Sequence, residues 1–225
     1  MKSCLLLTLC LCPLLTVGQI NTSLKRELDS MYVLDQKYRA YISNISNNRK
    51  LADSLMSALE IRENLTGALW TYQKRVDSMN LIRTEKIIKT YGYPGSSLVG
   101  KPTNEAVFYI IQHSPKIQTY FPLIKQAGQN NELSLSLSAV MEDRLLTQQS
   151  KPQIYGTQAM CYPLKESRDN NMKCFIWPIE NPGSVNARRK QAGFPNTVEE
   201  NAKRLNVNYK VLTMDEVKKT YRLGN

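Results

Sequence analysis

Two long apolar stripes near the start of the chain constrain its fold more than any other feature. Between Thr22 and Ile45, stripe residues recur at alternating intervals of four and three positions, and a second stripe over residues 51–79 does the same. This spacing places the stripe on one face of a helix. The spacing breaks across the turn-prone segment SNISNNRK. The pattern therefore predicts an antiparallel helical hairpin over residues 19–80.

The two stripes mirror each other about residues 46–48. Folding one onto the other brings together Asp35 and Arg62, the one charged residue of each stripe. We predict that these side chains form an ion pair that fixes the register of the hairpin. The alternative is that both charged groups extend along the stripe and reach solvent.

The chain after this hairpin, residues 81–225, is predicted to form a mainly helical domain with a β-hairpin near residues 153–178. Helical patterns cover residues 82–90, residues 103 to 112 or 113, a segment that ends at Ala127 before Gly128, residues 133–149, and a short helix that ends at Gly193. Two later helices begin with capping-box patterns, Thr197 with Glu200 and Thr213 with Glu216, and a strand is expected over residues 208–212. The predicted fold class is mainly α with a small β-hairpin.

The first residues have the pattern of a secretory signal. Lys2 precedes an apolar run over residues 4–17. This run is shorter than the roughly 20 apolar residues that span a bilayer, which argues against a membrane anchor. We expect residues 1–18 to be a signal peptide, the mature protein to be periplasmic or extracellular, and no transmembrane segment to remain after cleavage. Lipidation at Cys10 or Cys12 is a weaker alternative.

Two cysteines lie beyond the predicted signal. Cys161 and Cys174 are in strand-like runs on either side of a polar turn segment, KESRDNNMK. A hairpin would place them opposite each other, and an oxidising compartment favours a disulfide between them. Two buried free thiols are the alternative.

The formal charge of +11 favours anionic partners, either small molecules or envelope components. Solubility alone is an equally good explanation. No arginine-rich run with interleaved aromatic residues supports nucleic-acid binding. One histidine and two cysteines that are expected to pair argue against a zinc site. The sequence therefore predicts no cofactor.

Four segments of the chain resemble successive motifs of a bacterial domain family of unknown function. They are YGYPGSSLVG, IIQHSPKIQTYFPLI, MEDRLLTQQSKPQIYGTQ and VNARRKQAGFP, which together span about residues 91–195. The hallmark strings of that family are a His-Ala-Asp-like tripeptide, an Asp-Arg on a helix, Gln-x-Tyr-Gly-Thr-Gln and a late Arg-Arg. This chain departs from the pattern at His113-Ser114-Pro115, where the family usually has His-Ala-Asp. The resemblance implies no particular activity.

Three residues of these motifs, His113, Asp143 and Arg144, are candidates for catalysis. On the predicted helix over residues 133–149, Arg144 falls in the middle of the apolar stripe, so it is expected to point inward or into a cleft. A buried guanidinium requires carbonyls, a carboxylate or a bound anion as its partner. His113 ends its helix on a similar face, and either a hydrogen-bonded core position or a catalytic role fits it.

The string that follows this helix is read as a strand. If it is extended, Gln153, Tyr155 and Thr157 share one face and, with Gln158, could bind a polar ligand. Gly156 would allow close approach of that ligand or of another backbone. The alternative is a hairpin edge that bonds to neighbouring loops.

Two functions follow from these patterns. The first is an exported protein whose polar pocket, built by His113, Arg144 and the strand, binds an anionic ligand; the reaction is unknown, and hydrolysis is one option. The second is a non-catalytic envelope protein that binds a protein partner through the N-terminal helical hairpin.

Overall fold

A computed structural model describes residues 19–167 and 171–223 of the chain. Within these residues the fold is mainly helical with one two-stranded antiparallel sheet, as the sequence predicts. The helices are α1 (Thr22–Ile45), α2 (Arg49–Ala58), α3 (Leu65–Tyr91), α4 (Ser96–Val99), α5 (Ala106–Gln112), α6 (Ile117–Gln129), α7 (Leu135–Gln148), α8 (Val185–Gln191), α9 (Val198–Arg204) and α10 (Met214–Thr220). The strands are β1 (Ala159–Pro163) and β2 (Met172–Ile176), and short 3-10 turns precede α5 and α8. The predicted signal peptide lies outside the described residues.

The second apolar stripe forms two helices, not one. α2 ends at Ala58, and α3 begins at Leu65 after a turn in which Glu60 and Asn64 have positive φ. The Asn64 side chain caps α3 by accepting a hydrogen bond from the Gly67 backbone N–H at 3.0 Å. The stripe periodicity continues across this turn by coincidence of spacing, so it did not indicate the break.

Because of this break, α1 pairs with α3 in a register different from the predicted one. The Asn80 side chain donates to the Met31 carbonyl at 3.0 Å, and Arg39 of α1 bonds Asp77 of α3 at 2.7 Å. The predicted pairing holds only near the first turn, where Ile42, Ile45, Leu51 and Leu55 lie in one apolar cluster.

The prediction of an Asp35–Arg62 ion pair is therefore wrong. Arg62 lies exposed in the turn between α2 and α3, whereas Asp35 is fully buried and has its ionic contacts with His113 and Arg39. The inserted turn and the shifted register carry Arg62 away from the α1 carboxylate.

The expected boundary between residues 80 and 81 lies inside α3. The helix runs through Tyr91 without interruption, so the separate helix predicted over residues 82–90 is its last part. α1 also contributes to the main buried cluster, which includes Leu28, Phe108, Ile124 and Met141. The N-terminal helices therefore share a core with α5, α6 and α7 and are not a detachable arm.

α6 continues one residue past the predicted stop at Gly128. A Cβ at this position would lie 2.9 Å from the Ser138 Cβ, so the glycine allows α6 and α7 to approach closely. Here glycine serves helix packing and does not end the helix.

The β-hairpin confirms the predicted cysteine pairing. Cys161 and Cys174 face each other in the ladder and form a disulfide. Phe175 and Trp177 pack with Val217 of α10, and Ile176 packs with Ala202 of α9. Both sides of the second strand therefore tie the hairpin to the C-terminal helices.

Both predicted capping boxes are present, at Thr197 with Glu200 and at Thr213 with Glu216. The strand expected over residues 208–212 is wrong, since that segment is irregular. In the described parts of the chain, no helix combines the length and the apolar character needed to cross a bilayer.

Replacing both Cys161 and Cys174 by alanine should lower the free energy of unfolding by about 3 kcal/mol, because the disulfide restricts the unfolded chain over a short loop. Urea denaturation of the oxidised protein and the double variant would measure the difference. Reduced wild-type protein is the control and should unfold with the double variant. Equal midpoints for oxidised protein and double variant would show that the bond contributes nothing to stability.

Candidate functional site

One buried carboxylate organises the segment after α7. The Asp143 side chain is fully buried, and its two oxygens accept the backbone N–H groups of Ile154 at 2.7 Å, Tyr155 at 3.0 Å and Thr157 at 2.9 Å. The Thr157 hydroxyl adds a fourth donor at 2.9 Å. Burial raises the pKa of the Asp143 carboxyl, and these hydrogen bonds oppose the rise. Because four donors converge on it, Asp143 functions as the acceptor that shapes the loop.

The carbonyl groups of the same loop are bonded as completely as its N–H groups. Arg188 Nε donates to the Ile154 carbonyl at 3.0 Å, and Arg189 Nη1 donates to the Tyr155 carbonyl at 2.9 Å. Asn201 Nδ2 donates to the Gly156 carbonyl at 2.9 Å. The late Arg-Arg motif therefore clamps the backbone of the Tyr-Gly-Thr-Gln string.

The predicted strand over this string is wrong. Gly156 has φ +69°, and strand β1 begins only at Ala159. The Gln153 side chain is buried and bonds the backbone of Gln158 and Trp177, so it faces the hairpin and not a ligand. The loop bends because its N–H groups turn toward Asp143, and the three side chains do not share one face.

Gly156 is required by packing as well as by conformation. A Cβ at this position would lie 2.5 Å from Val198 Cγ2 and 2.8 Å from Ile179 Cδ1. The close approach that the sequence predicted is therefore to neighbouring side chains of the protein.

Arg144 follows Asp143 on α7 and therefore points in a different direction, about 100° away. Its Nη1 donates to the Gln112 carbonyl at 3.2 Å, and its buried Nε has no hydrogen-bond partner among the described residues. Within the same residues, no carboxylate is within ion-pair distance of it. Burial, and after it the nearby charge of Arg39, lower the pKa of the Arg144 guanidinium. The side chain thus carries a poorly compensated positive charge.

A cavity of about 410 Å³ opens beside Arg144, between α7, the clamped loop, α8 and α9. Its lining contains three arginines, three side-chain amides and one aromatic ring: Arg144, Arg189, Arg204, Gln158, Asn196, Asn201 and Phe194, with Thr157 and three apolar neighbours completing it. Among these described lining residues there is no carboxylate. The cavity is therefore strongly cationic.

Arg189 and Arg204 differ in how buried they are and in how many of their donors are bonded. Arg189 is buried, bonds Asn196 and the Tyr155 carbonyl, and stacks on the Phe194 ring at 4.5 Å. Arg204 is exposed and bonds only one side chain that the structure records, Asn201, at 2.9 Å. Arg189 therefore builds the cavity wall, whereas Arg204 and Arg144 retain donors for a ligand.

The structure brings together some of the sequence-predicted site residues and separates others. Arg144, Thr157 and Gln158 line the cationic cavity, whereas Tyr155 lines a neighbouring cavity with Lys125. His113 lines neither; it contacts Asp35 through Nδ1, at 3.2 Å from the nearer carboxylate oxygen. Sequence analysis missed Arg189, Asn196, Asn201 and Arg204 as cavity residues. The available signal was the Arg-Arg string ahead of a capping box.

Asp143→Asn should destabilise the protein by roughly 3 kcal/mol or more, because an amide nitrogen would face buried N–H donors that need an acceptor. Glu142→Gln is the matched control on the same helix. It breaks only the partly exposed pair with Lys125, at 3.0 Å, and should cost less than about 1 kcal/mol. Equal unfolding midpoints in urea for the two variants would mean that Asp143 does not organise the loop.

Comparison with known proteins gives a family and no assigned activity. No curated protein and no solved structure matches the chain. One family model, described as "Family of unknown function (DUF6624)", matches residues 23–213, which extend from α1 to the N-cap of α10. The match includes the N-terminal helices and the whole clamped loop, and so covers more of the chain than the motif strings alone. The chain therefore belongs to this family of unknown function.

Proposed function

We propose that this protein is exported and binds an anionic ligand in the cationic cavity beside Arg144. The observation that carries the proposal is the incomplete hydrogen bonding of the Arg144 guanidinium. Its buried Nε has no partner within the described residues, and it lies in the wall of a cavity with two further arginines. A guanidinium charge without a carboxylate partner is costly to bury, and an anion in the cavity would compensate it.

The chemistry of the lining favours a carboxylate or a phosphate. A guanidinium group binds either anion through two parallel hydrogen bonds. Gln158, Arg204 and the Phe194 ring provide further polar and aromatic surface for the remainder of a ligand. A cavity of about 410 Å³ is in the size range of small-molecule sites. The ligand class is therefore a small carboxylate or phosphate compound, free or as part of an envelope component.

Two features support a location outside the cytoplasm. The first is the signal-like apolar run over residues 4–17. The second is the Cys161–Cys174 disulfide, which persists in oxidising compartments and is rare in the reducing cytosol. Both point to a periplasmic or extracellular protein.

Arg144→Gln should abolish binding of inorganic phosphate and of succinate, measured by isothermal titration calorimetry at low salt. Arg144→Lys should also weaken binding, because it keeps the charge but loses the planar fork. Arg75→Gln is the control, since Arg75 is exposed on α3 and its loss changes the net charge equally. Melting temperatures verify that all variants are folded.

The two ligands separate the two anion classes, since a phosphate site and a carboxylate site should rank them differently. Binding that Arg144→Gln and Arg75→Gln weaken equally would contradict the proposal, because it would reflect net charge alone. An absence of binding for both ligands in wild-type protein would also count against it.

A second function, protein binding through the N-terminal helices, is favoured by exposed apolar side chains. Val33 of α1 and Trp70, Met79 and Ile82 of α3 are all substantially exposed. Deleting residues 19–80 would not test this idea, because α1 contributes to the main core.

Trp70→Ser with Ile82→Ser should remove a partner that wild-type protein retains from an envelope extract, while phosphate binding is unchanged. The control is Val211→Ser, which changes an exposed apolar residue outside these helices. Retention of the same partner by the double variant and the control would contradict this second function.

A further inference from the structure

We infer that Asp35 and His113 form a proton-accepting pair next to the anion site at Arg144. This inference rests on the proposed anion binding and adds to it a residue for proton transfer. Neither residue lines the cationic cavity directly, so the contacts that link them to Arg144 carry the argument.

The contact geometry assigns the roles of the two imidazole nitrogens. His113 Nδ1 lies 3.3 Å from Asp35 Oδ1 and 3.2 Å from Oδ2. The Gln36 side chain donates a further hydrogen bond to Oδ2 at 2.7 Å. An ionised carboxylate only accepts hydrogen bonds, so Nδ1 is the protonated nitrogen. In the neutral imidazole this would leave the lone pair on Nε2, the arrangement that a general base needs.

Charged side chains from three helices surround the Asp35–His113 pair. Arg39 of α1 approaches Asp35 Oδ1 at 3.8 Å and is itself held by Asp77 of α3 at 2.7 Å. The charged groups around the imidazole are thus Asp35 and Arg39 on α1, Asp77 on α3 and Arg144 on α7. Asp35 acts through the imidazole and is a positioning residue.

Solvent reaches the imidazole but not the carboxylate. The His113 side chain is 20% exposed, whereas that of Asp35 is 1% exposed. A water molecule can therefore approach the pair only from the imidazole side. This difference separates the pair from a fully enclosed structural hydrogen bond.

The pair is adjacent to the proposed anion site. Arg144 Nη1 is bonded to the carbonyl of Gln112, the residue before His113. Arg39, which contacts Asp35, is also close enough to contribute to the lowered pKa of the Arg144 guanidinium. The backbone at the end of α5 therefore connects the guanidinium that would hold the anion to the imidazole that would accept the proton.

The single histidine makes this inference directly testable. Nitrogen-15 NMR of the imidazole in wild-type protein should show the tautomer with hydrogen on Nδ1. Diethyl pyrocarbonate, which acylates an unprotonated imidazole nitrogen, should modify native His113, and phosphate should protect it. Asp35→Asn should slow the acylation several-fold. Asp29→Asn is the matched control on the same helix, because Asp29 bonds Lys25 and Thr103 and contacts neither His113 nor Arg39.

The outcomes separate this inference from the proposed function. Phosphate that binds by calorimetry but leaves the acylation rate unchanged would overturn the proton-accepting pair and leave the anion site standing. An unreactive native His113, or hydrogen on Nε2, would also overturn the pair. Absence of phosphate and succinate binding would overturn the anion site and, with it, the pair. If Asp35→Asn does not fold, the tautomer and phosphate protection in wild-type protein decide the matter.

Discussion

The bond network around the Asp143 carboxylate is the interaction on which the second half of the structure depends. One buried negative charge collects three backbone N–H groups and one hydroxyl from the loop that follows α7. Such a loop could not be buried otherwise, because each unpaired N–H group would cost free energy. Arg188, Arg189 and Asn201 then bond the loop carbonyls, which fixes α8 and α9 against α7. The last two motif strings, over residues 141–158 and 185–195, therefore describe one hydrogen-bonded clamp.

This clamp explains why adjacent residues on α7 have opposite roles. Successive side chains on a helix point about 100° apart. Asp143 faces the loop, and Arg144 consequently faces the end of α5 and the cationic cavity. The Asp143 carboxylate is fully occupied by hydrogen bonds to the loop, whereas the buried Nε of Arg144 has no partner within the described residues. The proposed anion site thus depends on Arg144, and the clamp holds the cavity walls around it.

The sequence predicted those features whose cause is local. The capping boxes at Thr197 and Thr213, the cysteine hairpin and α7 each depend on residues close together in the chain, and the structure contains all of them. The break before α3 was also local, since Asn64 at its N-cap is a signal that the apolar periodicity concealed.

The errors concern features that distant residues determine. The loop after α7 bends because its N–H groups bond a carboxylate on the preceding helix, which no strand periodicity reveals. Asp35 contacts His113, a residue 78 positions away, because α1 packs against α5 as well as α3. A mirrored pattern in two neighbouring stripes could not predict a partner on a third helix.

The polar groups buried between α1, α3 and α5 are difficult to explain by stability alone. Replacing buried ionic groups with apolar residues of similar size is often neutral or stabilising. The burial of the Asn80 side chain is compensated by its hydrogen bond to the Met31 carbonyl, which also fixes the helix register. The burial of Arg39 and Arg144 is only partly compensated, since the buried Nε of each has no partner within the described residues. A fold that needed only packing would gain by removing these charges, so stability alone does not explain the buried guanidinium groups of Arg39 and Arg144.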